Sequence, residues 1–126
     1  MAQKIKITTG KIKIEAELND SPTAKAIFNA LPIKAKANRW GGEIYFTIPV
    51  EVELEAGARE VLETGELGYW PTGNAFCMFF GKTPASKKNE IRAASAVNVI
   101  GKIKGDLSEL WDVADGADVI IEAAQG

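Results

Sequence analysis

Hydrophobic and polar residues alternate with period two through most of this chain, and the breaks in that alternation mark its turns and helices. Ile5 and Ile7 alternate with Lys4, Lys6 and Thr8; after a turn at Thr9-Gly10-Lys11, Ile12, Ile14, Ala16 and Leu18 oppose Lys11, Lys13, Glu15 and Glu17. That is a β-hairpin with one wet face. Ser21 and Pro22 then stand as N-cap and first helical residue, and Ala24, Ile27, Phe28 and Leu31 recur at helical spacing up to Pro32. From Ile33 period two returns, with Ile33, Ala35, Ala37 and Arg39 on one face and Lys34, Lys36, Asn38 and Trp40 on the other. Gly41-Gly42 breaks the strand, and Glu43 to Ile48 forms the next, with Ile44, Phe46 and Ile48 inward.

The acidic segment 51–63 fits either a solvated strand or a helical turn. Gly65 to Gly81 reads as strand, loop and strand, punctuated by Pro71 and Gly73. Its second strand, Ala75-Phe76-Cys77-Met78-Phe79-Phe80, carries no charge, so it is buried on both faces or lines a cavity with one of them. Residues 82–94 are rich in Lys, Ser and Asn and read as a long surface loop. Ser95 to Ile103 is a strand with Val97, Val99, Gly101 and Ile103 on one side. A capped helix starts at Asp106, burying Leu107, Leu110 and Trp111, and Ala117, Val119, Ile121 and Ala123 close the chain. About eight strands and two short helices in one small domain are most economically arranged as a closed barrel capped by the helices.

The chain has 126 residues, 46% hydrophobic and 25% charged, which suits one domain with its own core. A net charge of −2 without a polybasic run argues against a nucleic-acid partner. The opening residues, Met1 to Lys6, lack the apolar core of a secretory leader, no stretch is long enough to span a bilayer, and one cysteine makes no internal disulfide. A cytoplasmic protein without a membrane partner is expected. There is no histidine, which excludes the Ser-His-Asp and Cys-His nucleophiles and histidine-bound zinc. Cys77 lies in the apolar run, where a thiol is inert. No carboxylate cluster has metal-ligand spacing, and no cofactor is implied.

Several stretches resemble cyclophilins. Gly10-Lys11-Ile12-Lys13-Ile14-Glu15 followed by Ser21 to Leu31 is similar to their G-x-I-x-I-E strand and P-x-T-A-x-N-F helix. Val97-Asn98-Val99-Ile100-Gly101-Lys102-Ile103-Lys104-Gly105 resembles their H-V-V-F-G-K-V-x-x-G. Gly65 to Ala75, with Tyr69-Trp70-Pro71-Thr72-Gly73-Asn74-Ala75 at its end, resembles the G-[DE]-x-x-Y-W-P-x-G-N-A hallmark of the small bacterial and archaeal cyclophilin-like proteins, a family of largely unassigned function. The resemblance implies a mainly β fold: a closed eight-stranded antiparallel barrel capped by two short α-helices, spanning residues 1–126 as a single domain.

In cyclophilins an arginine weakens the X-Pro amide, whose rotation barrier is ~20 kcal/mol, while an apolar pocket holds the ring. The resemblance offers Arg39 for the arginine and Tyr69, Trp70, Asn74, Met78, Phe79 and Phe80 for the pocket. This chain departs from the pattern where F-H-R reads Ala37-Asn38-Arg39 and where the pocket histidine falls on Val97. The expected function is accordingly to bind a proline-containing peptide or a small apolar ligand in an aromatic pocket. A peptidyl-prolyl isomerase of low or altered activity, or a subunit whose Trp40 or Trp70 packs on a partner, are the alternatives.

Overall fold

In the computed structural model, which describes residues 3–124, the chain is mainly antiparallel β. The strands are β1 (Gln3–Thr9), β2 (Ile12–Leu18), β3 (Ile33–Lys36), β4 (Asn38–Trp40), β5 (Glu43–Thr47), β6 (Arg59–Leu62), β7 (Glu66–Trp70), β8 (Ala75–Phe79), β9 (Ile91–Lys104) and β10 (Asp118–Ala123). One α-helix, α1 (Pro22–Asn29), follows β2; its first turn is capped by the Ser21 hydroxyl, which accepts from the Ala24 amide, with Pro22 at the start as expected. Met1 and Ala2, part of the opening that lacks the apolar core of a leader, lie outside the described residues.

The described residues form ten strands and one α-helix, against the eight and two expected. The expected second helix is a 3-10 segment, Ser108–Asp112. The surplus strands come from two places. The single strand anticipated from Ile33 is split at Ala37 into β3 and β4, which pair on opposite sides, β3 with β10 and β4 with β5. In the acidic segment, residues 51–58 form no strand, and Arg59–Leu62 form β6, which pairs with β9. The pairing order runs β3-β10-β1-β2-β9-β7-β8-β5-β4 and ends there, so no ladder closes the sheet into a barrel. Its two ends are nonetheless neighbours in the chain, joined through Ala37, whose amide donates to the Ala117 carbonyl at 2.8 Å.

The interior is one large cluster to which β1, β2, β5, β7, β8, β9 and β10 each contribute, with Ile5, Ile7, Leu18, Phe46, Phe76, Ile100 and Ile121 fully buried. Phe46 and Phe76 stack there with centroids 5.3 Å apart. A second cluster lies on the other face of β5, β8 and β7, made by Leu62, Ala75, Cys77, Phe79, Ile91, Ala93 and Val97. The uncharged run in β8 therefore divides by parity. Phe76, Met78 and Phe80 face the interior, and Ala75, Cys77 and Phe79 face the second cluster.

β9 is longer than expected. It begins at Ile91, inside the stretch whose composition suggests a loop, and its first half lies over the second cluster. The shift in its pairing with β7, from Leu67↔Gly101 to Gly68↔Val99, is a bulge that changes which parity points inward. As a result Val97 and Val99 pack on the second cluster while Ile103 belongs to the interior, although plain alternation places all three together. Trp111 is the other departure: helical spacing buries it, and in the structure it is about half exposed. In a 3-10 segment residues three apart eclipse, so Leu107 and Leu110 align inward and the next position turns out.

Candidate functional site

The second face of the sheet carries a cavity of about 240 Å³. Its walls follow from the strand registers. Trp40 on β4 lies opposite Glu43 on β5, and Tyr45 is two residues further along the same face of β5. Across β8, Tyr45 stands opposite Cys77; across β7, Trp70 stands opposite Ala75. These pairings bring Trp40, Glu43, Tyr45 and Trp70 to one rim, and the first half of β9 closes the other side with Ala93, Ala94 and Val97. β9 comes this close because β7 has a glycine beneath it: a Cβ on Gly68 would lie 2.8 Å from Val97 Cγ2.

Trp70 is fixed as a wall. Its indole Nε1–H donates to the Ser95 hydroxyl at 2.6 Å, and its ring meets Tyr45 edge-on at 6.4 Å between centroids. Glu43 is the one charged residue of the lining and is only 6% exposed. Burial raises its carboxyl from 4.5 to about 7, opposed in part by a hydrogen bond from the Cys77 thiol. Burial likewise pushes the Cys77 thiol well above its ordinary value, and the neighbouring Glu43 charge pushes it further, so Cys77 is a protonated donor and no nucleophile. None of the ion pairs among the described residues includes Glu43. No group of three or more potential metal ligands occurs among those residues either.

Of the residues proposed from the sequence for the pocket, Trp70 alone lines this cavity. Met78 and Phe80 are in the interior cluster and Phe79 is in the second one, all buried. Tyr69 is wholly buried; its hydroxyl donates to the Val50 carbonyl at 2.5 Å and lies 3.1 Å from Asn74 Oδ1. Asn74 takes a left-handed conformation, φ 48°, to end the 3-10 turn Pro71–Gly73. The Tyr-Trp-Pro-x-Gly-Asn stretch thus pins the segment around Val50 to the β7–β8 turn, with its tryptophan turned to the cavity.

Arg39 lies elsewhere. Its Nη1 donates to the carbonyls of Val113 (2.7 Å) and Trp111 (3.2 Å), and its Nη2 to that of Gly41 (3.0 Å). The guanidinium lies 5.5 Å from the Phe80 ring centroid and 5.7 Å from that of Trp111. It ties the β4–β5 turn to the 3-10 segment. Glu43, Tyr45, Ala93 and Val97 were not anticipated as site residues, and Trp40 was anticipated only as a tryptophan packing on a partner. A signal was present: Glu43 and Tyr45 share the face of β5 opposite Ile44 and Phe46, and Trp40 is paired beside Glu43.

Taken together, the fold and the cavity define a small mainly β protein that offers a carboxyl among aromatic rings. The Cyclophilin-like family model matches residues 3–122, and the chain belongs to that family. Its structure is similar to the solution structure of a hypothetical protein from Archaeoglobus fulgidus, with 48% sequence identity over 98% of this chain and 95% of that one, and a TM-score of 0.84. No curated protein matches the chain. Among the described residues, no helix is long and apolar enough to cross a membrane.

Proposed function

We propose that this protein is a binding module of the cyclophilin-like family that takes a small, largely apolar ligand, or one side chain of a peptide, between Trp40, Tyr45 and Trp70. The observation that carries this reading is the cavity lining, apolar and aromatic except for one carboxyl group. Such composition, with a single convergent polar group, is typical of small-ligand sites. At about 240 Å³ the cavity falls below the roughly 300 Å³ at which drug-sized sites begin, which favours a small occupant.

The isomerase alternative has less support. It requires an arginine free to hydrogen-bond a substrate amide, and the terminal nitrogens of Arg39 are engaged by three main-chain carbonyls. Amide chemical-shift mapping with indole as probe tests the reading. Shifts concentrated at Tyr45, Trp70, Ala93 and Val97, lost in Ala94→Trp, are expected, together with no acceleration of X-Pro isomerisation in a protease-coupled assay. Shifts scattered away from the cavity, or catalysis at micromolar protein, would overturn it.

A further inference from the structure

The cavity contains a carboxyl group with no cation beside it. Strand register places Glu43 on this face, between Gly42 and the interior residue Ile44, and the residue is only 6% exposed. The groups that face it from the surrounding elements supply no positive charge. β4 contributes Trp40, β5 Tyr45, β7 Trp70, β8 the Cys77 thiol, and β9 Ala93, Ala94 and Val97. Charged residues on those strands are engaged elsewhere: Arg39 with the carbonyls of Gly41, Trp111 and Val113, Arg92 with Glu60 and Glu90, and Glu66 with Arg59. A buried carboxylate without a partner is costly, so proteins rarely retain one unless something neutralises it. Aromatic rings such as those of Trp40, Tyr45 and Trp70 in the lining carry negative π faces, which attract a cation and repel an anion.

We infer that the Trp40–Tyr45–Trp70 cavity is an aromatic cage for an organic ammonium cation, with Glu43 as its counter-ion. This rests on the binding role proposed above and specifies the chemical class of the ligand. A quaternary or alkylated ammonium group combines the two properties the lining asks for, an apolar surface for the rings and a positive charge for the carboxylate. A hard metal ion is a poorer fit, since such ions take several oxygen ligands and Glu43 is the one carboxylate of the lining, with no group of three or more potential metal ligands among the described residues. An occupant that binds the ionised carboxylate also displaces its proton, so affinity should depend on pH with a defined sign. Because Glu43 titrates at about 7, the cation should bind about tenfold more weakly at pH 6 than at pH 8. A neutral ligand that accepts a hydrogen bond from the protonated acid would show the opposite trend.

The test compares choline with its neutral isostere 3,3-dimethylbutan-1-ol, by titration calorimetry and amide shifts at pH 6, 7 and 8. Choline should bind at least about tenfold more tightly than the isostere at pH 8, within the range expected of a desolvated cation–π site with a counter-ion. Its affinity should fall with acidification while that of the isostere stays level. Glu43→Gln should remove the preference for choline and keep the isostere's affinity, and Trp40→Leu should weaken choline more than the isostere. Equal binding of the two probes, or a preference that survives Glu43→Gln, would overturn the cation assignment and leave the apolar-pocket reading standing. Cavity shifts with neither probe would overturn both.

Discussion

Because Glu43 is buried in an apolar cavity, the folded protein should lose stability as its carboxyl ionises, and replacing it with glutamine should reveal how much. The folded-state value is about 7 and the ordinary one 4.5, so the native state holds the proton more tightly than the unfolded chain does. Below the ordinary value both states are protonated and the group contributes its full stabilisation. Between 4.5 and about 7 the unfolded state releases its proton first, and stability falls with rising pH; above 7 both are ionised and the loss is complete. At ~1.4 kcal/mol for each pH unit separating the two values, the interval corresponds to about 3 kcal/mol. Urea unfolding monitored by circular dichroism at pH 4 to 8 measures it. With m near 1–3 kcal/mol/M, the Glu43→Gln midpoint should gain about 1–3 M on that of the unaltered protein as pH rises across the interval. Any pH-independent offset drops out of the change in the difference between the two curves, as do the exposed acids such as Asp106 and Asp118, while the Cys77 hydrogen bond is already contained in the folded-state value. Parallel curves over that range would refute the burial argument.

Two further expectations concern the frame around the cavity. Gly42→Ala should cost more than Gly81→Ala in the same urea assay, at or above the roughly 3 kcal/mol end of overpacking losses, because its Cβ would fall 2.2 Å from the Gly81 main chain. The Gly81 Cβ would meet the half-exposed Trp111 ring at 2.4 Å, and that ring has room to swing away. Arg39→Ala should destabilise by about 2–4 kcal/mol by leaving carbonyls in the chain turn without their charged donor, while the amide shifts of Trp70 and Ala93 stay in place. An unchanged urea midpoint in that variant would show that the guanidinium is not a structural tie.

Much of the sheet was legible in the order of residue types. The first hairpin and the start of α1 follow from alternation and a Ser-Pro cap, and the uncharged run left β8 two alternatives, of which burial on both faces is the one found; all of these signals act over a few residues. What escaped depended on distant partners. Glu43 looks like an ordinary wet-face residue until β9 is laid over it, and β9 is hidden because its first residues adjoin a polar stretch. That stretch is held by the Thr83 hydroxyl, which hydrogen-bonds the Arg92 carbonyl, and by Ser86 Oγ, which accepts from the Arg92 amide at 3.0 Å. No periodicity reports such contacts. The bulge between Val99 and Gly101 is equally silent in the sequence, yet it decides whether Val97 faces the core or the cavity wall. Trp111 shows a third limit, since helical and 3-10 spacing agree for Leu107 and Leu110 and part company one residue later.

The double burial of β8 also governs what happens when the protein is unfolded. Ala75 to Phe80 is a six-residue run of strand formers with no charge and no proline, the composition that assembles readily into cross-β aggregates. In the native sheet it is flanked by β7 and β5 and covered on both faces, so no edge of it is offered to another molecule. Heating releases it all at once, with Lys82 as the nearest charge on its C-terminal side. Thermal unfolding of this protein is therefore expected to end in aggregation, and its apparent melting temperature to vary with scan rate and protein concentration.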